Sequence, residues 1–291
     1  MRKKLQALAA LTILLLTTAI FVRYLQGHPA ILQQLGHLSP ALLLMLLLLY
    51  CGFSASLVAL SVFSVEFCGH KLSLKENIIV YSYSALVNFF GPLQSGPGMR
   101  ALYLKKRHGI RLRNYTLASL FYYAFYALFS GFMLITADGR FLLPALLALL
   151  VGIGAGVLVV RMFMRRKPYV KELVHKRASS VGKIALAALA QMIFTTLIYF
   201  VELRAIDHHI SLGQAITYTG AANFALFVSL TPGAIGIRES FLVFSQQLHH
   251  IGNSTIVAAS LIDRATYIVM LGILFVIVLA LHARARFTAT S

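Results

Sequence analysis

Acid is what this sequence has least of. Eight Asp and Glu stand against 26 Lys and Arg in 291 residues, and charged residues of either sign make up only 12%. A soluble domain carries about a quarter, so an ordinary water-facing globular class is excluded. Tryptophan is absent, and the aromatic anchors at a membrane boundary must then come from the 13 tyrosines. Cysteine occurs twice, Cys51 inside an apolar run and Cys68 at its edge, without metal-ligand spacing. Neither a disulfide framework nor a zinc site is expected. The chain has no Gly-Lys-Ser or Gly-Lys-Thr phosphate loop, so it is not expected to power itself with ATP. Outside one charged cluster there is no carboxylate pair and no Ser/His/Asp set. The expectation is a protein that is not an enzyme and needs no cofactor or metal.

What is abundant is apolar length. Hydrophobic residues make up 59% of the chain. Apolar runs lie at about 5–22, 40–65, 77–91, 114–136, 141–160, 184–203, 212–230 and 254–282, with a shorter one at 237–248. About 20 apolar residues cross a bilayer, so the chain reads as one integral membrane domain over 1–291. The opening "MRKKLQALAALTILLLTTAIFV" could pass for a signal peptide, but it lacks a clear small-x-small cleavage site and reads as a retained first span. Net charge is +18. In a soluble protein that would suggest nucleic acid. Here the basic residues cluster between apolar runs, which fits cytoplasmic loops and anionic lipid and makes a nucleic-acid partner unexpected.

Two Gly/Pro breaks interrupt the pattern, "NFFGPLQSGPGMR" (88–100) and "SLTPGAIGIRES" (229–240). Let 77–107 enter from the cytoplasm, turn at the first break and return, and let 212–250 do the same from outside. The N-terminus, 66–76, 100–113, 161–183 and the C-terminus then all lie inside, with 21 of the 26 Lys and Arg. Only Arg23, Arg140 and Arg204 fall outside, while Arg238 and Arg264 stay in the membrane. The positive-inside rule favours this arrangement over straight crossings. The expected fold is all-α: about six spanning helices plus two re-entrant helical hairpins, with both termini cytoplasmic. Asn88-Phe89 and Asn223-Phe224 precede the breaks, Pro92 and Gly96 align with Pro232 and Gly236, and Gly109 and Gly252 end the hairpins. The hairpins enter from opposite sides, so this is an inverted repeat of the kind used by transporters.

The candidate chemistry sits at these breaks. Arg238 and Glu239 follow the second one, and Asp263 and Arg264 lie about ten residues into the last span. An unpaired ionisable group near mid-bilayer costs at least ~2.5–3.5 kcal/mol. Neighbours on a helix point about 100° apart, so cross-pairing is expected: Glu239 with Arg264, and Arg238 with Asp263. The quartet is either a structural staple or a headgroup site, and the two roles are compatible. A helix restarting at Ile237 offers N–H groups and a positive dipole end to an anion. Gly233 and Gly236 permit close backbone approach, as do Ser95, Gly96 and Gly98 at the first break, with Arg100 nearby. Small-residue helix packing is the alternative use of these positions. The basic stretches 105–113 and 161–177 read as topogenic charge. His208-His209 and His249-His250 read as solvated loop residues. Tyr122 and Tyr126 share a helix face and read as packing or cavity lining. Glu66, Glu76, Asp138, Glu172, Glu202 and Asp207 fall in loops or at helix ends and need no special role.

"TPGAIGIRES", the apolar run after it, Gly252 and "AASLIDRATY" resemble the second half of the lysylphosphatidylglycerol synthase transmembrane region family. "GPLQSGPGMRALYLKKRHGI" resembles its first half. The likeness covers roughly 5–282. It implies two inverted hairpins and movement of a lipid, often phosphatidylglycerol-derived or polyprenyl-linked, between leaflets. The chain departs from the family pattern at Gly98 and Met99, where a Glu is common, and at "LFYYAFY", where an Arg is common. The aminoacyl-transferase domain of full synthases is missing from this sequence, so lysine transfer is not expected.

The function expected is therefore that of an inner-membrane lipid flippase or flippase-like transporter. Arg238, Glu239, Asp263, Arg264 and the breaks containing Pro232, Gly233, Gly236, Pro92, Ser95, Gly96 and Arg100 would form its binding or gating site. The alternative is a non-transporting subunit that presents lipid to a glycosyltransferase or other lipid-modifying enzyme. The partners expected are lipids with an anionic or zwitterionic headgroup. An enzyme partner and homo-oligomerisation stay open.

Overall fold

Ser39 sets the first described helix in place: its hydroxyl accepts the Leu42 N–H at 3.2 Å, and Pro40 occupies the first helical position. The computed structural model describes residues 26, 39–90, 95–135, 174, 176–228 and 237–287. The expected spans at 5–22 and 141–160, most of the basic segment 161–177, Asp138 and Glu172 lie outside these residues.

Nine helices follow in order among the described residues, with no strand. They are α1 (Pro40–Phe67), α2 (Leu74–Phe90), α3 (Gly96–His108), α4 (Leu112–Ile135), α5 (Ala178–Ile206), α6 (Leu212–Val228), α7 (Ile237–Phe244), α8 (Gln246–His249) and α9 (Asn253–Phe287). Four are long and apolar enough to cross a membrane: α1, α4, α5 and α9. They correspond to the runs at 40–65, 114–136, 184–203 and 254–282. Their exposed faces carry large apolar side chains such as Leu44, Leu48, Leu186 and Val276, as lipid contact requires. The runs at 77–91, 212–230 and 237–248 give shorter helices.

These shorter helices fold back in pairs. Ser95 Oγ donates to the Val87 carbonyl oxygen at 3.2 Å, Arg100 Nη2 donates to Ser84 Oγ at 3.2 Å, and Tyr103 OH donates to Glu76 at 2.7 Å. The contacts run backwards along α2 as α3 advances, so the pair is an antiparallel hairpin. Gly96 lets the limbs touch, because a Cβ there would sit 2.5 Å from the Ser84 carbonyl oxygen. At the base, Glu76 also meets His108 at 2.8 Å and Arg107 at 3.5 Å. Partial burial alone would push the Glu76 carboxyl up, but the Tyr103 and His108 hydrogen bonds and the two cations hold it below its ordinary value. Gly109 closes α3 in the left-handed region at φ 65°.

The second pair, α6 with α7 and α8, repeats this plan. Tyr218 meets the His249 ring edge-on with ring centres 5.5 Å apart, and Gln214 Nε2 donates to the His250 carbonyl oxygen at 3.4 Å. Its left-handed terminus is His250 at φ 54°, not Gly252 as the sequence suggests. His249 corrects a second expectation. It is a buried connector rather than a solvated loop residue: its Nδ1 accepts the Ile251 N–H at 3.2 Å while Nε2 meets the Leu242 carbonyl oxygen at 3.0 Å.

The order long, short, short, long therefore occurs twice, in α1–α4 and in α5–α9. The packing follows the same plan. α2 lies against α9 as α6 lies against α4, and α1 packs directly on its counterpart α5. A Cβ on Gly52 of α1 would overlap the Phe194 ring of α5, and one on Gly220 of α6 would sit 2.8 Å from the Ser130 carbonyl oxygen of α4.

Candidate functional site

A cavity of about 300 Å³ opens where the two halves meet. Each described helix except α8 contributes to its wall. Helical periodicity explains which residues face in: Tyr81, Ser84, Ala85 and Asn88 form one stripe of α2, and Gln191, Thr195, Ile198 and Tyr199 one stripe of α5. Eight of the lining residues are tyrosines, which give the wall apolar faces and hydroxyl tips. The volume is at the low end for ligand pockets.

The charges are concentrated at the second hairpin. Arg238 Nη1 lies 2.6 Å from Asp263 Oδ2, joining α7 to α9 across the buried interior. Tyr50 OH of α1 donates to the other Asp263 oxygen. Arg238 also donates to Tyr199 OH at 3.3 Å and lies 5.9 Å from the centre of that ring. Of the two cross-pairings expected, the Arg238–Asp263 one is thus present. The Glu239 side chain lies outside the described residues, and so does the Glu239–Arg264 pairing. Arg264 and Arg100 line the same cavity. Among the described residues three guanidinium groups therefore face one carboxylate, a net positive lining inside an apolar bundle.

The other sequence-derived positions separate into two groups. Ser95 and Gly96 serve the interior of the first hairpin, through the Val87 carbonyl and the Ser84 contact. Pro92, Pro232, Gly233 and Gly236 lie outside the described residues, as does the proposed anion seat just before Ile237. Tyr122 and Tyr126 line the cavity, and their hydroxyls donate to Gln191 at 2.9 Å and Asn223 at 2.6 Å. Glu202 departs from its expected role as an unremarkable helix end: it has 0% exposure, inside α5.

Two internal alignments connect these residues. "ASLFYYAFY" (118–126) on α4 matches "ASLIDRATY" (259–267) on α9, and the helix starts Leu112 and Asn253 are offset by the same spacing. Tyr122 corresponds to Asp263, Tyr123 to Arg264 and Tyr126 to Tyr267, and all six line the cavity. "SYSALVNF" (82–89) on α2 likewise matches "TYTGAANF" (217–224) on α6, placing Asn88 and Asn223 in the wall from opposite hairpins. The symmetry is not fully used. Tyr126 binds Asn223, but the Asn88 side-chain oxygen accepts no hydrogen bond from a described residue. Both alignments were available in the sequence and extend well beyond the paired Asn-Phe and Pro/Gly positions.

The family model described as "Lysylphosphatidylglycerol synthase TM region" matches residues 7–275. No curated protein and no solved structure matches the chain.

Proposed function

The chain belongs to the lysylphosphatidylglycerol synthase transmembrane-region family, whose role is lipid-related and membrane-bound, and from that premise we propose that it moves a phospholipid or polyprenyl-linked lipid between leaflets. The observation that carries this reading is the cavity whose described charged lining is Arg100, Arg238 and Arg264 against Asp263. Ionisable groups at membrane depth are costly and mark substrate pathways. Net positive charge there suits a phosphate-bearing headgroup, with arginine supplying paired donors to its oxygens. The role is binding and movement, without covalent chemistry.

The paired short helices act as re-entrant hairpins that enter from opposite sides. The lengths support this: α2 has 17 residues and α3 has 13, about 25 and 20 Å at 1.5 Å per residue. The hydrocarbon core measures about 30 Å. The placement of basic residues supports cytoplasmic termini and an inner, plasma-type membrane.

The test is movement of headgroup-labelled phosphatidylglycerol and of a labelled polyprenyl phosphate in liposomes holding the purified chain. Wild type is expected to equilibrate at least one label across the bilayer. Arg264→Gln and Arg100→Gln are each expected to slow it by about ten- to a hundredfold, the worth of one hydrogen bond to a charged group. If folded wild type moves neither label, the transport reading fails. Movement that returns only with a co-reconstituted lipid-modifying enzyme would establish the presenting-subunit role instead.

A further inference from the structure

One buried ionisable group takes no part in the cavity wall. Glu202, near the end of α5, has 0% exposure, and neither of its carboxyl oxygens accepts a hydrogen bond from a described residue. Tyr199 precedes it by almost one turn, on a neighbouring part of the same face. Among the described residues, Tyr50 on α1, Tyr218 on α6, Arg238 on α7 and Asp263 on α9 are the other titratable or charged groups in electrostatic reach of it. An ionised carboxylate there would need a counter-ion and hydrogen bonds to offset its desolvation. The nearby guanidinium of Arg238 lies 2.6 Å from Asp263 instead. A carboxylic acid that keeps its proton needs no counter-ion and loses far less by going without hydrogen bonds.

We propose that Glu202 is a proton-binding site and that its proton binds cooperatively with an anionic headgroup in the cavity. The headgroup half of this statement rests on the lipid-transport reading. When Glu202 releases its proton, the carboxylate left behind competes with Asp263 for Arg238 and reduces the positive field in the cavity. When the proton returns, Glu202 no longer competes with Asp263 for Arg238 and the field is restored. An anion in the cavity therefore favours the protonated acid, and by linkage the proton favours the anion to the same degree. A carrier without an ATP site thereby gains a source of direction, because a proton gradient biases where the headgroup is held and where it is released.

Infrared spectra of the purified full chain in H₂O and D₂O at neutral pH test the proton site directly. Wild type is expected to show the carbonyl band of a protonated carboxyl, and Glu202→Gln to lack it. In Asp263→Asn the band is expected to weaken, because Arg238 loses its partner and takes Glu202 as a carboxylate. Glu202→Gln matches the neutral acid in shape and is expected to fold. Should it not, the comparison of wild type with Asp263→Asn decides. The second arm measures binding of short-chain phosphatidylglycerol, with short-chain phosphatidylcholine as zwitterionic control. Wild type is expected to bind the anionic probe more tightly as pH falls, on the order of tenfold, and Glu202→Gln to show a flat profile. A wild-type spectrum without the band, a band unchanged in Asp263→Asn, or binding without a Glu202-dependent pH profile would each overturn the proposal. The infrared arm needs no transport. A protein with the band that moves no lipid sinks the transport reading alone, and one that moves lipid without the band sinks the proton site alone.

Discussion

Tyr122 on α4 stands where Asp263 stands on α9: each sits in the same motif, at the same distance from its helix start, and faces the same cavity. One half of the chain puts a carboxylate at this position and the other a phenol. The second half consequently carries the buried Arg238–Asp263 bridge. The first half meets its neighbours through neutral hydrogen bonds, Tyr122 to Gln191 and Tyr126 to Asn223.

Removing one partner of a buried ion pair leaves an uncompensated charge, at a cost of about 3–5 kcal/mol. Glu202 offers Arg238 a substitute. Asp263→Asn is therefore expected to lose less than this, and Asp263→Asn combined with Glu202→Gln to lose all of it. Unfolding of the two variants and wild type in the same detergent checks the order. Equal losses in the single and double variants would mean that Glu202 offers Arg238 nothing.

The Tyr126–Asn223 hydrogen bond is buried and short, at 2.6 Å. Tyr126→Phe leaves the Asn223 oxygen without that donor and is expected to destabilise by about 1–3 kcal/mol. Tyr267→Phe, at the equivalent place, is expected to change stability by less than half of that, because Asn88 receives no hydrogen bond there. Thermal melts of the two variants side by side are sufficient.

Acid is expected to loosen the end of the second hairpin. Burial pushes the His249 imidazole below its ordinary value, the Leu242 carbonyl opposing in part and the His250 charge adding to the effect. The folded state holds the ring neutral, because Nδ1 must accept the Ile251 N–H. Between the unfolded value of about 6.5 and the lower folded value, only the unfolded chain takes up the proton. Stability is thus complete above about pH 6.5 and falls as pH drops through that window. His249→Gln should remove this component from a plot of melting temperature against pH, and an unchanged acid slope would contradict it.

Two glycines separate packing from tolerance. A methyl on Gly220 would press on backbone atoms of α4, the Ser130 oxygen at 2.8 Å and the Leu134 nitrogen at 2.9 Å. Gly220→Ala is expected to cost about 1–3 kcal/mol or more. Among the described residues nothing lies within 4 Å of where a Gly98 Cβ would stand, so Gly98→Ala is expected to fold as well as wild type. Expression and melting in parallel measure the difference.

The long apolar helices were legible because lipid demands a simple signal, length without charge. The runs at 40–65 and 184–203 became α1 and α5 with ends displaced by a few residues. Asp263 was legible as needing a partner, since an unpaired mid-span carboxylate is costly, and Arg238 was among the few cations in reach. Glu202 was not. Its neighbours Leu203 and Arg204 resemble a helix end approaching water, and only the folded chain shows that Glu202 is fully buried. His249 misled for a related reason: a His-His pair beside Gly252 looks like an exposed loop until the backbone groups it joins are seen. The "ASL" match between α4 and α9 lay in plain sight, but the replacement of Asp-Arg by Tyr-Tyr at its centre conceals it from a search for matching charges.

That replacement has a mechanical consequence. A carrier made of two identical halves would rest with equal ease facing either leaflet. At this position the chain has an ionic clasp in one half and neutral hydrogen bonds in the other, so on the transport proposed above its two opposite postures would differ in energy before any lipid arrives. On that proposal it would behave as a weighted door, with a side to which it swings shut unaided, and the Arg238–Asp263 clasp would be the weight.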